Sequence, residues 1–98
     1  MAVKVLIKRK VTEDKAREMI PLFKQMRVQA NSQAGYISGE TMRSLDNPDE
    51  FLVISTWESS EDWKNWVNSA NRKEVQDKID ALLGGKTVYE IFHYGFTE

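Results

Sequence analysis

The chain contains a single histidine, His93, which lies in the last predicted strand. Histidine is the side chain that gains or loses a proton most readily near neutral pH, so it is the usual candidate for proton transfer. A catalytic or substrate-binding role for His93 is therefore one hypothesis. The alternative is an ordinary, partly buried histidine whose hydrogen bonds are satisfied within the fold.

All three tryptophans, Trp57, Trp63 and Trp66, lie within one stretch of ten residues. Ser59 and Asp62 have the spacing of a helix N-cap and its capping-box partner, so we expect a strand to end at Trp57 and a helix to begin directly after Ser59. Large aromatic area concentrated in one place marks either a corner of the core or the wall of a pocket. The core is the simpler interpretation for Trp57 and Trp63, whereas Trp66 fits both equally.

Composition excludes several other chemistries. The chain has no cysteine, which removes disulfides, thiolate catalysis and thiolate metal sites. A single histidine cannot form a pair of imidazole ligands, so no metal site is expected. The Gly84-Gly85 pair lacks the Lys-Ser/Thr that follows the glycines of a phosphate-binding loop.

The 98 residues fit a single domain spanning 1–98. Fourteen basic residues nearly balance 15 acidic ones, so no nucleic-acid partner is expected. The first residues contain no signal-peptide core, and no apolar run approaches the roughly 18 residues of a membrane span. These features predict a cytoplasmic protein without a membrane partner.

Residue periodicity predicts a strand from Val3, then a helix, then two strands. Thr12 is the expected helix cap, Pro21 predicts a kink or two shorter helices, and Gly35 is expected to end the segment. Strands are predicted over 36–45 and 50–57, joined as an antiparallel hairpin. The apolar stripe of the first helix comprises Ala16, Met19, Ile20, Phe23, Met26 and Ala30.

A last helix and a last strand complete the pattern. Asn71 with Glu74 repeats the capping-box spacing, and Gly84 with Gly85 favours a left-handed helix end. A final strand is predicted over 86–94. The order βαββαβ predicts an α+β, ferredoxin-like fold: a four-stranded antiparallel sheet with its helices on one face.

The predicted sheet is apolar on both faces. In the third strand, Leu52 and Ile54 point to one face while Phe51 and Val53 point to the other. Two helices can cover only one of these faces, and soluble monomers rarely expose a large apolar patch. We therefore expect a homodimer in which the two sheets face each other.

The sequence resembles the antibiotic biosynthesis monooxygenase domain of the dimeric α+β barrel superfamily over nearly its whole length. The resemblance rests on Gly35-Tyr36 opening the second strand, on the strand exit Trp57-Glu58-Ser59, and on residues 62–69 with Trp66 among them. It implies a pocket between the helices and the sheet of each subunit. Members of the family include small-molecule oxygenases of phenolic or quinol-type substrates and haem-degrading enzymes.

The resemblance also implies site residues. Trp66 is expected on the pocket wall, and Phe23 and Met26 of the first helix are expected either to contact the ligand or to pack in the core. Gln76 stands where haem-degrading members carry a histidine, and Ile7 or Lys8 stands where they carry an asparagine. In anthrone-type oxygenases an asparagine occupies the position of Asp62. Here a carboxylate can accept a phenolic proton but donates to an enolate oxygen only when protonated.

The function expected from this resemblance is that of a monooxygenase acting on a small aromatic molecule, phenolic, quinol or anthrone-like, without bound flavin, metal or nicotinamide. Trp66, Phe23, Met26 and Gln76 would bind the substrate, and His93 or Asp62 would accept its proton. Two alternatives stay open. The protein binds or degrades haem, or it is a dimer that binds a small ligand without catalysis.

Overall fold

The structure, a computed structural model, describes residues 1–95 of the chain. Four strands and three helices follow one another in it: β1 (Val3–Lys10), α1 (Glu13–Asn31), β2 (Tyr36–Arg43), β3 (Glu50–Trp57), α2 (Ser60–Val67), α3 (Ala70–Leu83) and β4 (Val88–His93). The strands form one antiparallel sheet in the order β2-β3-β1-β4. This confirms the predicted α+β, ferredoxin-like fold.

The register of the sheet decides which side chains the helices cover. Val5 of β1 lies opposite Ser55 of β3 and Ile91 of β4, and Ile7 lies opposite Val53 and Tyr89. Because side chains alternate along a strand, these odd-numbered positions share one face. Val3, Val5, Ile7 and Arg9 are all buried there. The helices therefore pack on one face, as the alternation predicts.

The three tryptophans form one corner of the core. Trp57 is fully buried at the end of β3, and its indole N–H donates to Ser55 Oγ at 2.7 Å. Its ring meets Trp63 edge-on at 5.9 Å and Tyr36 at 5.3 Å. Edge-to-face aromatic pairs of this kind stabilise a corner beyond their buried area. The end of β3 is thereby joined to α2 and to the start of β2.

Helix α1 is continuous over 19 residues, with Pro21 inside it. The division into two shorter helices is therefore wrong. Pro21 and Arg17, whose carbonyl loses its helical donor, are both exposed, so water can replace the missing hydrogen bond. Thr12 occupies the N-cap position without making the capping bond. Interaction with the Thr12 side chain instead lowers the pKa of the Asp14 carboxylate.

The caps of the next two helices are built from serines. Ser59 Oγ accepts from the backbone N–H of Asp62, as predicted, and α2 begins at Ser60. The prediction of a cap at Asn71 is wrong, because Ser69 Oγ accepts from the N–H of Arg72 and α3 begins at Ala70. Gly84 ends α3 in the predicted left-handed conformation.

Several predicted boundaries are also too long. Helix α1 ends at Asn31 and not at Gly35, β2 ends at Arg43, and β4 covers only Val88–His93. At the tip of the β2–β3 hairpin, the N–H of residue 44 donates to the carbonyl of residue 50, and Ser44 Oγ accepts from the N–H of Asn47. These bonds turn the chain just beyond Arg43.

The other sheet face carries no helix. Leu6, Leu52 and Ile54 lie at its centre and are half-buried, whereas Met42, Val88 and Phe92 around them are each 50% exposed. One ion pair, between Lys8 and Glu90, crosses this open face at 2.7 Å. Within residues 1–95, no helix is long and apolar enough to cross a membrane.

Gly35 sets the distance between the β2 entry and α2. Its φ is +83°, and a Cβ at this position would overlap the carboxylate of Asp62. The carbonyl of Gly35 also accepts from the N–H of Glu58 at 2.7 Å. The close approach of these segments therefore requires a residue without a side chain.

Replacing Gly35 with alanine is expected to lower the free energy of unfolding by about 2 to 4 kcal/mol, since the variant combines a left-handed backbone with a steric overlap. Gly84→Ala is the matched control, because φ there is +68° and nothing lies within 4 Å of the added Cβ. It should lose only about 1 kcal/mol. Urea unfolding of both variants measures the difference, and equal losses would show that contact with Asp62 imposes no constraint.

Candidate functional site

A cavity of about 70 Å³ lies between α1, the covered face of the sheet, and the α2–α3 segment. An apolar cavity of about 150 Å³ is known to hold benzene. The space is therefore smaller than an aromatic ring, and a ligand of that size requires side chains at its edge to move. The cavity is lined by Ile7, Arg9, Phe23, Met26, Arg27, Ala30, Tyr36, Gly39, Thr41, Val53, Ser55, Trp63, Trp66 and Arg72.

Three of the residues predicted to bind a substrate line this cavity together. Trp66 is 4% exposed and belongs to the same core cluster as Trp63, so it serves as core packing and as cavity wall at once. Phe23 and Met26 line the cavity from α1 and are only partly buried. The flexible thioether chain of methionine adapts easily to a new neighbour. Phe23 and Met26 are thus the side chains best placed to enlarge the space.

The cavity opens between α1 and β2, where its lining residues are exposed. Arg27 of α1 donates from Nη2 to Thr41 Oγ1 of β2 at 3.0 Å across this opening. Tyr36 begins β2, and its hydroxyl lies over Gly39, where a Cβ would come within 2.7 Å of it. The Arg27 guanidinium and the Tyr36 phenol thus lie on the side of the cavity between α1 and β2.

Two buried guanidiniums form the inner end of the cavity. Arg9 of β1 is 7% exposed and Arg72 of α3 is 2% exposed. Arginine is almost never buried this deeply unless it is paired with an acid. Within residues 1–95, neither guanidinium lies within 4.0 Å of a carboxylate, since the ion pair found there joins Lys8 and Glu90. The cavity is therefore cationic at this end.

Neutral groups hold both arginines in place. Arg9 donates from Nε to Thr87 Oγ1 at 3.2 Å and from Nη2 to Gln76 Oε1 at 2.9 Å. Arg72 donates from Nη2 to the Tyr89 hydroxyl at 2.9 Å, and that hydroxyl donates to Gln76 Oε1 at 3.3 Å. Gln76 thus lies behind the cavity wall as the link between the two arginines.

Aromatic rings cover the faces of the same two guanidiniums. Arg9 Cζ is 5.4 Å from the ring centroid of Phe23, and Arg72 Cζ is 5.5 Å from Trp63 and 5.1 Å from Tyr89. Cation–π contacts offset part of the lost hydration and fix the plane of each group. Both cations are therefore held rigidly in position.

The pKa of Arg9 is lowered to about 10, mainly by burial and also by the positive charge of Arg72, while the Tyr89 and Asp80 side chains act in the opposite direction. Asp80 reaches this network through Gln76, whose Nε2 donates to Asp80 Oδ1 at 2.8 Å. Arg9 is still cationic at neutral pH. Its charge is carried in a poorly hydrated site, where electrostatic interactions are stronger than in water.

The two predicted proton acceptors lie outside the cavity lining. The Asp62 carboxylate accepts from Ser59 Oγ at 2.9 Å and packs on Gly35, next to the lining residue Tyr36. His93 is exposed at the end of the edge strand β4, and its Nδ1 accepts from the N–H of Gly95 at 3.0 Å. Asp62 lies one helical turn before Trp66 on α2, whereas His93 lies on a different element, and neither side chain lines the cavity.

The sequence contained a signal for the buried arginines. Arg9 continues the odd-numbered series of β1 that buries Val3, Val5 and Ile7. Arg72 likewise falls three residues before Val75 on the buried stripe of α3. A cation at a core position of both a strand and a helix indicates a site, and the sequence-based prediction of proton acceptors, which rested on histidine and carboxylates, did not include it.

A second, wider concavity of about 760 Å³ lies at the end of the sheet where β1 meets the β2–β3 hairpin. It opens on the face without helices, between Lys8, Lys10, Leu52 and Val88. None of the predicted site residues lines it. No group of three or more His, Asp or Glu side chains within residues 1–95 is placed to hold a metal ion.

Comparison with known proteins identifies sequence relatives. A family model described as antibiotic biosynthesis monooxygenase matches residues 2–78. Protein SchA of Streptomyces halstedii is 25% identical over 83 residues, which are 85% of this chain and 22% of SchA. The 42.8 kDa protein in the whiE locus of Streptomyces coelicolor is 30% identical over 80 residues, 82% of this chain and 19% of that protein. The chain thus spans about a fifth of these relatives.

Solved structures share the fold. A conserved protein from Methanosarcina mazei superposes with a TM-score of 0.85 at 22% identity, covering 94% of this chain and 91% of that one. SnoaB, a cofactor-independent oxygenase from Streptomyces nogalater, superposes with a TM-score of 0.83 at 16% identity, covering 98% and 95%. At these identities the similarity shows the fold alone.

Arg9→Met is expected to leave the free energy of unfolding unchanged or to raise it by about 1 to 2 kcal/mol, because it removes a buried charge that has no acid partner. Gln76 Oε1 keeps the donor Tyr89, and Thr87 Oγ1 keeps the donor Gln76, so neither is left unsatisfied. Urea unfolding at pH 7 measures the change. Val5→Ala, a truncation at a fully buried position of the same strand, should instead lose about 2 kcal/mol. A loss of 3 kcal/mol or more for Arg9→Met would show that the guanidinium is structural.

Proposed function

The chain belongs to the antibiotic biosynthesis monooxygenase family, and we propose that it is a cofactor-independent monooxygenase that oxidises a small phenolic, quinol or anthrone-like substrate in the cavity beside Trp66. The match over residues 2–78 confirms the resemblance seen in the sequence. The observation that carries the proposal is the meeting of Trp66, Phe23 and Met26 around one cavity in a chain of this family. The neighbour SnoaB, a cofactor-independent oxygenase, supports the absence of a cofactor.

The proposed reaction is balanced without a reductant. Oxidation of a phenol to a quinone, or of an anthrone methylene to a carbonyl, places one atom of O₂ in the product and releases the other as water. The substrate supplies all four electrons. It must first lose a proton, because the anion is the better electron donor. The protein would exclude water, hold the ring and accept that proton.

The proton acceptor belongs to the same proposal. Asp62 and His93 are the two candidates predicted from the sequence. The Asp62 carboxylate packs against Gly35, the residue directly before the lining residue Tyr36. Both stand outside the lining, so either would act through a water molecule or after Phe23 and Met26 move. Trp66, Phe23 and Met26 would contact the ring, and Gln76 would orient the site through Arg9.

Haem fits this site poorly. His93 is not among the cavity residues, and Gln76, at the position of the family's histidine, uses its amide to bond Arg9, Thr87 and Asp80. An amide in such a network is not an axial ligand of the kind that haem iron takes from proteins.

We also propose that the protein is a homodimer joined through the open sheet face. Apolar residues at its centre and edge, Leu52, Ile54 and Phe92 among them, have no cover in one chain. A stable interface buries about 800 Å² on each partner, and an exposed apolar patch of several hundred Å² is rare in soluble monomers. The second copy supplies the cover that the helices give to the other face.

Oxygen uptake tests the activity. With a panel of hydroquinones, naphthols and anthrones, at least one member should consume O₂ faster with the protein than without it. Trp66→Phe should lower kcat/KM for that substrate by at least about tenfold, because a 1 Å misplacement of bound substrate can cost about 10²-fold. Trp57→Phe, a tryptophan equally buried but outside the cavity, is the control and should stay within about twofold. Uptake equal to the protein-free rate across the panel would contradict the proposal.

Light scattering tests the assembly. The protein should show a mass close to twice the 11.4 kDa of one chain at micromolar concentration. Ile54→Lys should yield monomers, because it places a charge at the centre of the apolar face. Val28→Lys introduces the same charge at an exposed position of α1 and should leave the dimer intact. A single-chain mass for the unmodified, folded protein would refute the sheet-face dimer.

A further inference from the structure

We propose that the cavity is an anion site, in which Arg9 and Arg72 together bind a negatively charged oxygen of an aromatic ligand, either a carboxylate or an ionised phenol. The inference deepens the proposed function, and it rests on that function only in placing an aromatic molecule in the cavity. It narrows the substrate class from any flat aromatic to an anionic one.

The first reason is the missing counter-charge. Arg9 and Arg72 are 7% and 2% exposed, and within the part of the chain that the structure describes no carboxylate lies within 4.0 Å of either. The closest acidic connection runs from Arg9 through Gln76 to Asp80. Burying a charge without a partner is unfavourable, whereas a ligand anion placed between two such charges relieves the penalty. An anion in the cavity would supply the counter-charge that the described residues do not place beside the two guanidiniums.

The second reason is the number of unused donors. The hydrogen bonds of Arg9 use Nε and Nη2, and that of Arg72 uses Nη2 alone, so within residues 1–95 Nη1 of both and Nε of Arg72 stay free to donate, and none of these three atoms is fully buried. Both residues line the cavity. A guanidinium presents its N–H groups in a fixed fork that matches the oxygens of a carboxylate. The guanidiniums of Arg9 and Arg72 would bind one or two oxygens of the ligand between them.

The third reason is rigidity. Phe23 packs against Arg9, while Trp63 and Tyr89 pack against Arg72, at 5.1 to 5.5 Å. Donors fixed before the ligand arrives lose little entropy on binding, and they stabilise a developing negative charge without reorganising. The other titratable groups near the arginines are the Tyr89 hydroxyl, the Asp80 carboxylate behind Gln76 and, between α1 and β2, the side chains of Arg27 and Tyr36. The field inside the cavity is therefore positive.

The remaining walls define the rest of the ligand. Ile7, Val53, Trp63 and Trp66 are apolar or aromatic, and they suit a ring beyond the charged oxygen. A phenol held in this way would give up its proton, to Asp62 or His93 in the proposed reaction, because the two guanidiniums stabilise the phenolate. The arginines would then act as substrate-binding groups that favour the anion before O₂ reacts.

Isothermal titration of the full-length protein with three probes of one shape tests the inference. They are 2-naphthoate, its neutral counterpart 2-naphthamide, and 2-naphthol. At pH 7 and 0.15 M salt, 2-naphthoate should bind at least about tenfold more tightly than 2-naphthamide, since hydrogen bonds to a charged group are the stronger ones. Its affinity should be constant from pH 6.5 to 8.5, whereas 2-naphthol should bind more tightly as the pH rises and it ionises. Tighter binding of ionised 2-naphthol than of 2-naphthoate would identify phenolate as the favoured source of charge.

Substitutions of Arg9 and Arg72 test whether these two side chains provide the positive charge that binds naphthoate. Arg9→Met and Arg72→Gln, the latter chosen because an amide can still donate to Tyr89, should each reduce the naphthoate-to-naphthamide ratio towards one. Lys8→Met removes a cation from the neighbouring position of β1 on the open face and should leave the ratio unchanged. Circular dichroism and thermal unfolding establish that each variant is folded. The comparison of probes on the unmodified protein stands even if one variant fails to fold.

Each contrary outcome has a separate meaning. Equal binding of naphthoate and naphthamide would overturn the anion site and leave the aromatic cavity of the proposed function standing. A preference for naphthoate that Lys8→Met abolishes and Arg72→Gln preserves would also overturn it. Binding of none of the three probes would contradict both the anion site and the aromatic cavity, while oxygen uptake would continue to test catalysis independently.

Discussion

The alternation of β1 is the constraint on which the structure depends most. This strand lies between β3 and β4, so its odd-numbered side chains form the floor beneath the helices over the whole length of the sheet. Val3, Val5 and Ile7 build the core, and the same period carries Arg9 under α1 and beside α3. The pairing register of β1 determines which of its side chains face the helices, because a shift of one residue would exchange the two faces of the strand. The alternation of β1 thus positions both the core side chains and the guanidinium at the cationic end of the cavity.

The tryptophan corner connects that floor to the cavity. Ser59 caps α2, and its partner Asp62 packs on Gly35, so α2 can begin only where β2 also begins. Trp63 and Trp66 then point back towards the sheet as part of the core cluster and line the cavity from the side of α2. Helix α3 follows directly and carries Arg72 and Gln76 to the other end. A local capping motif therefore determines the distance between a hydrophobic wall and two buried charges.

How far the sequence predicted this structure depends on the kind of signal. Strand alternation, helix periodicity and the Ser59 cap are local, and they predicted the element order, the covered face and the start of α2. The cap at Ser69 was missed because Asn71 with Glu74 has the same spacing. Of the two alternatives predicted at Pro21, the division into two helices is wrong, because the exposed position makes the proline tolerable within one helix. Three cavity residues were predicted from one helix stripe and the family pattern. The pairing of Arg9 with Arg72 joins residues distant in sequence, and only the packing of α3 against the strands brings them to one cavity. His93 and Asp62 remain predictions that the positions of their side chains leave open.

The central claim is that a cavity bounded by Trp63, Trp66, Arg9 and Arg72 receives an anionic aromatic molecule. The most direct measurement is a titration of ¹⁵N-labelled protein with 2-naphthoate, following the three indole N–H signals and the arginine Nε–H signals by NMR. The account predicts saturable shifts of the indoles of Trp63 and Trp66 and of the Nε–H of Arg9 and Arg72, with smaller shifts for Trp57 and for Arg43 at the hairpin. Shifts confined to the open sheet face, or signals that stay unchanged at millimolar ligand, would contradict it.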